Sequence, residues 1–170
     1  WSCQYFHFGL VQCVVRCKQN FLQQPVGNTH GCWILIDKSM NLDLTGKTAL
    51  VCGSTQGIGR ATAEELAKMG ARVVLLARNK EKLEAVAKAI GNNCTYLVAD
   101  FSKPDEVKSV VTEFVKTNPI HILVNNTGGP PGGPIVDAEV DEFYAAFTNH
   151  LVNNHNLVKA VKQSMVTSGY

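Results

Sequence analysis

From Met40 onward, apolar residues fall into short uninterrupted runs separated by stretches of helical period. Thr48–Cys52 (TALVC) and Arg72–Ala77 (RVVLLA) are two such runs, and residues 95–99 and 120–124 supply two more. Runs this short, apolar at successive rather than alternate positions, predict strands covered on both faces. Between them, residues 58–69, Lys80–Ile90 and 104–117 repeat apolar side chains every three to four positions, as one-faced helices do. Pro104 suits the first turn of the third. A longer helix is predicted over residues 141–165. Strands and helices in strict alternation imply an α/β fold with a doubly wound parallel sheet. The pattern runs out at Ser168-Gly169-Tyr170, a helix C-cap signal. The sheet is therefore expected to be truncated after its fourth strand and the helix that follows. That fourth strand would be left as an apolar edge with unpaired backbone groups.

Residues 1–39 have a different texture. They show neither period, and they carry six aromatics and four charges. We expect Met40 to be a natural start, with residues 1–39 a foreign, upstream-translated and poorly ordered segment; a genuine extension is the alternative. The segment has no basic start or small-residue cleavage site of a signal peptide, and no window of the chain is a membrane-length apolar run. Four cysteines (Cys3, Cys13, Cys17, Cys32) lie there without a C-x-x-C pair, which argues against zinc, and a disulfide framework is not expected. Cys52 and Cys94 lie in predicted strands and read as small buried hydrophobes. A net charge of +2 with no basic patch excludes a nucleic-acid surface. The expected partners exclude membrane as well, and the expected location is the cytoplasm.

Chemistry enters after the first of these strands. Gly53-x-x-x-Gly57-x-Gly59 links it to a helix. Glycines permit a tight turn and a close backbone approach, and the helix N-terminus offers unpaired N–H groups and the positive end of its dipole. Strand, glycines and helix together predict a site for a dinucleotide pyrophosphate. The next strand ends in Ala77-Arg78-Asn79, with no carboxylate to hold a ribose 2′-hydroxyl. A guanidinium pairs with a 2′-phosphate instead, and Ser54 is a further donor for it, so NADP(H) is the expected cofactor. The bland alternative for Arg78 is a solvated residue at a strand end.

With Gly53, Gly57 and Gly59, Asp100 after the third strand, Asn125-Asn126-x-Gly128 after the fourth and the long helix beyond, residues 40–170 resemble the N-terminal, cofactor-binding half of a short-chain dehydrogenase/reductase. The Asn-Asn-Thr-Gly-Gly-Pro-Pro variant is similar to that of 3-oxoacyl-carrier-protein reductases. The resemblance implies a Rossmann-type domain in which Ile58 packs under the pyrophosphate turn, and Asp100 either hydrogen-bonds the adenine amino group or caps a local turn. Asn125 and Asn126 would brace the central strand and contact the cofactor ribose. The loop through Pro134 would roof the nicotinamide end. Three residues depart from the pattern. Thr127 replaces the usual alanine, and His150 stands where the family carries the asparagine of its catalytic tetrad, a place that His150 or neighbouring Asn149 would fill; a plain core or surface histidine is the alternative. Cys52 replaces a threonine, which removes a hydroxyl that would brace the turn.

The family's chemistry needs a serine and a Tyr-x-x-x-Lys. No tyrosine here has a lysine four residues later, so no catalytic residue is assigned in this chain. The expected parent is an oxidoreductase moving a hydride between NADP(H) and a small carbonyl or alcohol, a homo-oligomer by resemblance, with this fragment inactive by itself. A catalytically inactive NADP(H)-binding module is the alternative. A methyltransferase is disfavoured by the glycine spacing and by Arg78.

Overall fold

A computed structural model describes residues 42–129 and 132–170 together with the backbone of a short strand, Gln12–Val14. The expectations for residues 1–39 otherwise lie outside the described residues, as do Pro130 and Pro131 of the loop expected to roof the cleft. In chain order the elements are β1 (Gln12–Val14), β2 (Thr48–Cys52), α1 (Gly57–Lys68), β3 (Arg72–Ala77), α2 (Lys80–Ile90), β4 (Cys94–Val98), α3 (Pro104–Val115), β5 (Ile122–Asn125), α4 (Val140–Phe147) and α5 (Asn153–Thr167). The sheet order is β1-β5-β2-β3-β4, with β5, β2, β3 and β4 parallel.

The strands are apolar throughout because each face meets helices. Ala49, Val51, Val73, Leu75, Ile122 and Val124 point to one side and pack with Ala63 of α1 and Leu83 and Val86 of α2. Leu50, Cys52, Val74, Leu76 and Leu123 point to the other, against Val107 and Val111 of α3 and Leu157 and Val161 of α5. Every residue of β2 is buried, which makes it the axis of the domain. This is the doubly wound α/β sheet that the alternating pattern predicts.

Three expectations are corrected. The outer edge of β5 is not bare: Gln12–Val14 pairs with it antiparallel, Cys13 opposite Val124. An open ladder of N–H and C=O groups templates any extended segment within reach. Residues 120 and 121 precede β5 instead of opening it, for Ile120 N–H donates to Ser164 Oγ (2.8 Å) and His121 N–H to the Thr48 carbonyl (2.9 Å). The helix expected over residues 141–165 is divided: a π turn, Thr148–Val152, separates α4 from α5. Within that widened turn and just after it, two inward side chains are tied to different loops, His150 to Thr127 and Asn153 to the carbonyl of Phe101 (2.6 Å).

Candidate functional site

A cleft of about 580 Å³ opens at the C-terminal ends of the parallel strands. Its floor is the turn from β2 into α1. Gly53 (φ +56°) and Gly57 (φ +57°) adopt left-handed backbone that side chains resist. Gly59 is needed for a different reason: a Cβ there would meet the Gly53 carbonyl and lie 2.6 Å from Asn126 Nδ2. Asn126 is the brace of this turn. Its Nδ2 donates to the carbonyls of Cys52 (3.3 Å) and Gly53 (3.2 Å), clamping the end of β5 onto the end of β2, and the residue also lines the cleft. The Cys52 thiol is fully buried, and desolvation pushes its pKa up to about 12, so it is an inert filler.

The N-terminus of α1 differs from those of α2, α3 and α4. Gln56, its N-cap, makes no side-chain capping bond, and the first turn holds no acid. By contrast, Asn79 Oδ1 accepts from Lys82 N–H to cap α2 (2.7 Å), α3 begins with Asp105 and Glu106, and α4 has a full Glu139/Glu142 capping box. Unsatisfied N–H groups at the positive end of a helix dipole, facing a cleft, are an anion site. Gly57, Ile58 and Gln56 all line it.

The β3 side of the cleft is cationic. Arg78 and Lys82 are exposed on its wall, and among the described residues neither forms an ion pair. No carboxylate stands at the end of β3. Opposite, past β5, Thr127, Gly128 and Gly129 form the wall with Asn149 from the π turn. Thr127 Oγ1 lies 2.7 Å from His150 Nδ1.

Ser54, expected to meet a phosphate, is fully buried, and its Oγ accepts from Leu76 N–H (3.1 Å); the hydroxyl braces the turn from below, a role the missing threonine at Cys52 leaves open. Ile58 does not pack under the turn; it is 61% exposed in the cleft wall, because the first turn of α1 projects it outward. Asp100 Oδ1 accepts from Ser102 N–H (3.0 Å), the local turn cap, and this bond first, with Arg78 further off, holds its carboxyl below the usual range. Its neighbour Phe101 lines the cleft. Asn125 is buried, with both amide atoms unpartnered among the described residues, so of the two asparagines only Asn126 lines the cleft.

Sequence reasoning missed Lys82 and Phe101, and it offered Asn149 only as a neighbour of His150. Lys82 was findable, one helical turn beyond Arg78. Phe101 and Asn149 reach the cleft only through the way a loop and a π turn fold back. Among the described residues no cluster of three or more His, Cys, Asp or Glu side chains forms a metal site, and no helix is long and apolar enough to cross a membrane.

Comparison with known proteins agrees with this geometry. A family model described as short chain dehydrogenase matches residues 47–170. Hydroxysteroid dehydrogenase-like protein 1 of Gallus gallus is 49% identical over 87 residues, covering 49% of this chain and 26% of the relative. The Homo sapiens protein named inactive hydroxysteroid dehydrogenase-like protein 1 is 46% identical over 89 residues, with the same coverage. A 3-oxoacyl-carrier-protein reductase of Rickettsia prowazekii is 38% identical over 87 residues, 51% of this chain and 35% of that one. Among solved structures, L-sorbose reductase of Gluconobacter frateurii, complexed with NADPH and L-sorbose, superposes with a TM-score of 0.69 at 29% identity, covering 76% of this chain and 51% of its own. The chain thus spans about a quarter to a third of these curated relatives and about half of that structure.

Proposed function

The chain belongs to the short-chain dehydrogenase family, and from that premise we propose that it binds NADP(H) as the cofactor half of an oxidoreductase acting on a small carbonyl or alcohol. One observation carries the choice of cofactor: the uncapped, acid-free N-terminus of α1 opens on a cleft whose β3 wall holds Arg78 and Lys82 and no carboxylate. The helix end suits a pyrophosphate, and the two cations suit a 2′-phosphate that an acid would repel. A dinucleotide lies across the switch point of a doubly wound sheet, here between β2 and β5. The glycine turn fits it, since nothing lies within 4 Å of where a Cβ of Gly57 or Gly128 would stand.

When bound, the nicotinamide would carry the hydride; the residues present here would hold and orient it. The proton for a carbonyl oxygen has no source in the Tyr-x-x-x-Lys sense within these 170 residues. Carbonyl reduction is accordingly proposed for the whole protein, in the cytoplasm and as a homo-oligomer, and not for residues 1–170 by themselves. The second reading, an NADP(H)-binding module without catalysis, is favoured by one observation: a relative 46% identical over 89 residues is named inactive.

Calorimetric titration of the 170-residue chain tests the cofactor reading. NADPH should bind at least about tenfold tighter than NADH, and Arg78→Asp should abolish that preference. Equal affinities in the unaltered chain would refute it.

A further inference from the structure

We propose that Thr127 and His150 act as one unit that grips the half of the ligand beyond the pyrophosphate, Thr127 as the contacting donor and His150 as its positioning residue; the inference rests on the cofactor reading above. The first observation is place. With the pyrophosphate at α1 and the 2′-phosphate beside Arg78, the remaining riboside of a dinucleotide lies over the end of β5, where Thr127 forms the cleft wall. The second is pairing. Thr127 and His150, 23 positions apart in the chain, are in contact at 2.7 Å. Third, the π turn Thr148–Val152 carries His150, and such single widened turns are frequent at functional sites.

The fourth observation sets the direction of the hydrogen bond. His150 Nε2 is buried with no partner among the described residues. A neutral imidazole has one N–H and one bare nitrogen. A buried N–H without an acceptor is rarer in proteins than an under-satisfied acceptor, so the proton belongs on Nδ1. Nδ1–H then donates to Thr127 Oγ1. The threonine hydroxyl proton is thereby left free to meet an oxygen of the ligand in the cleft that Thr127 lines. Alanine at 127 would offer nothing, and asparagine at 150 would present a different reach to the same point.

The 170-residue chain is titrated with NADPH and with 2′,5′-ADP, which keeps the adenosine phosphates and lacks the nicotinamide riboside. Thr127→Val and His150→Phe should each weaken NADPH about fivefold to tenfold and leave 2′,5′-ADP within about twofold. The double variant should be no weaker than either single one, as expected of one coupled unit. Thr127→Ser should restore NADPH binding, and ¹⁵N shifts of the His150 ring should report the proton on Nδ1. Equal losses for both ligands, additive losses, or a proton on Nε2 would overturn the inference while leaving the cofactor reading intact. An unaltered chain that binds neither compound would defeat both. Thr127→Val keeps the shape of the side chain and carries the test alone if His150→Phe does not fold.

Discussion

His121 illustrates how much a single side chain depends on its surroundings. It is 9% exposed at the base of the sheet, where Nδ1 accepts from Thr48 N–H (3.0 Å) at the first residue of β2. Its ring stands edge-on to Tyr170 at 5.9 Å, and Lys47 Nζ lies 4.3 Å from the centre of that same tyrosine ring. Desolvation first, and the Lys47 charge second, hold the imidazole pKa below its ordinary value. A histidine kept neutral in the fold contributes stability that is fully present above the unfolded value, about pH 6.5, and lost as pH falls through that value toward the lower folded one. Protonation also removes the acceptor that Thr48 N–H uses. Chemical denaturation midpoints should therefore drop as pH is lowered from about 7.5 to about 5.5. His121→Asn, whose Oδ1 can take the same bond without titrating, should flatten that part of the profile. Parallel profiles for the two proteins would assign the loss to other groups. In the sequence His121 was one residue of a predicted strand; its role exists only because β2 begins beside it.

At the scale of elements, α1 begins with less favourable local chemistry than α2, α3 or α4. It starts on a glycine, its N-cap makes no side-chain bond, and no acid meets its dipole. A helix evolved for stability alone would carry a capping carboxylate, as α4 does. Gln56→Asp should therefore act with opposite signs on two measurements. The extended backbone of Gln56 (φ −159°, ψ 170°) accepts an N-cap aspartate. Stability should rise by about 1 kcal/mol, roughly 3 °C in thermal midpoint for a chain of this length. NADPH affinity should fall at least about tenfold, because the new carboxylate takes the N–H groups and repels the phosphates. A variant that gains stability and keeps its affinity would show that the anion does not sit at this helix end. The interruption of the last helix belongs to this scale too. Apolar spacing from 141 to 165 reads as one helix because a π turn adds a single residue, a change too small to break the period visibly. It is the ties of His150 and Asn153 to separate loops that mark it.

For the molecule as a whole, one surface stands out. Phe143, Tyr144, Phe147 and Leu151 recur at three- and four-residue steps on α4 and the π turn, each more than half exposed (52%, 67%, 57% and 59%). Stripes of that kind mark association surfaces. The sequence by itself determined the strand-and-helix alternation, the parallel sheet and the glycine turn, because apolar runs, helical period and the backbone freedom of glycine are local properties. It also determined the cationic end of β3, since Arg78 follows directly from where that strand stops. Tertiary structure alone decided that Ser54 faces the core, that Ile58 faces the cleft and that Gln12–Val14 covers β5. It also brought Thr127 to His150 across 23 positions of chain. Those outcomes depend on which surfaces are brought together when two layers of helices close on the sheet, and no local pattern of residues carries that information.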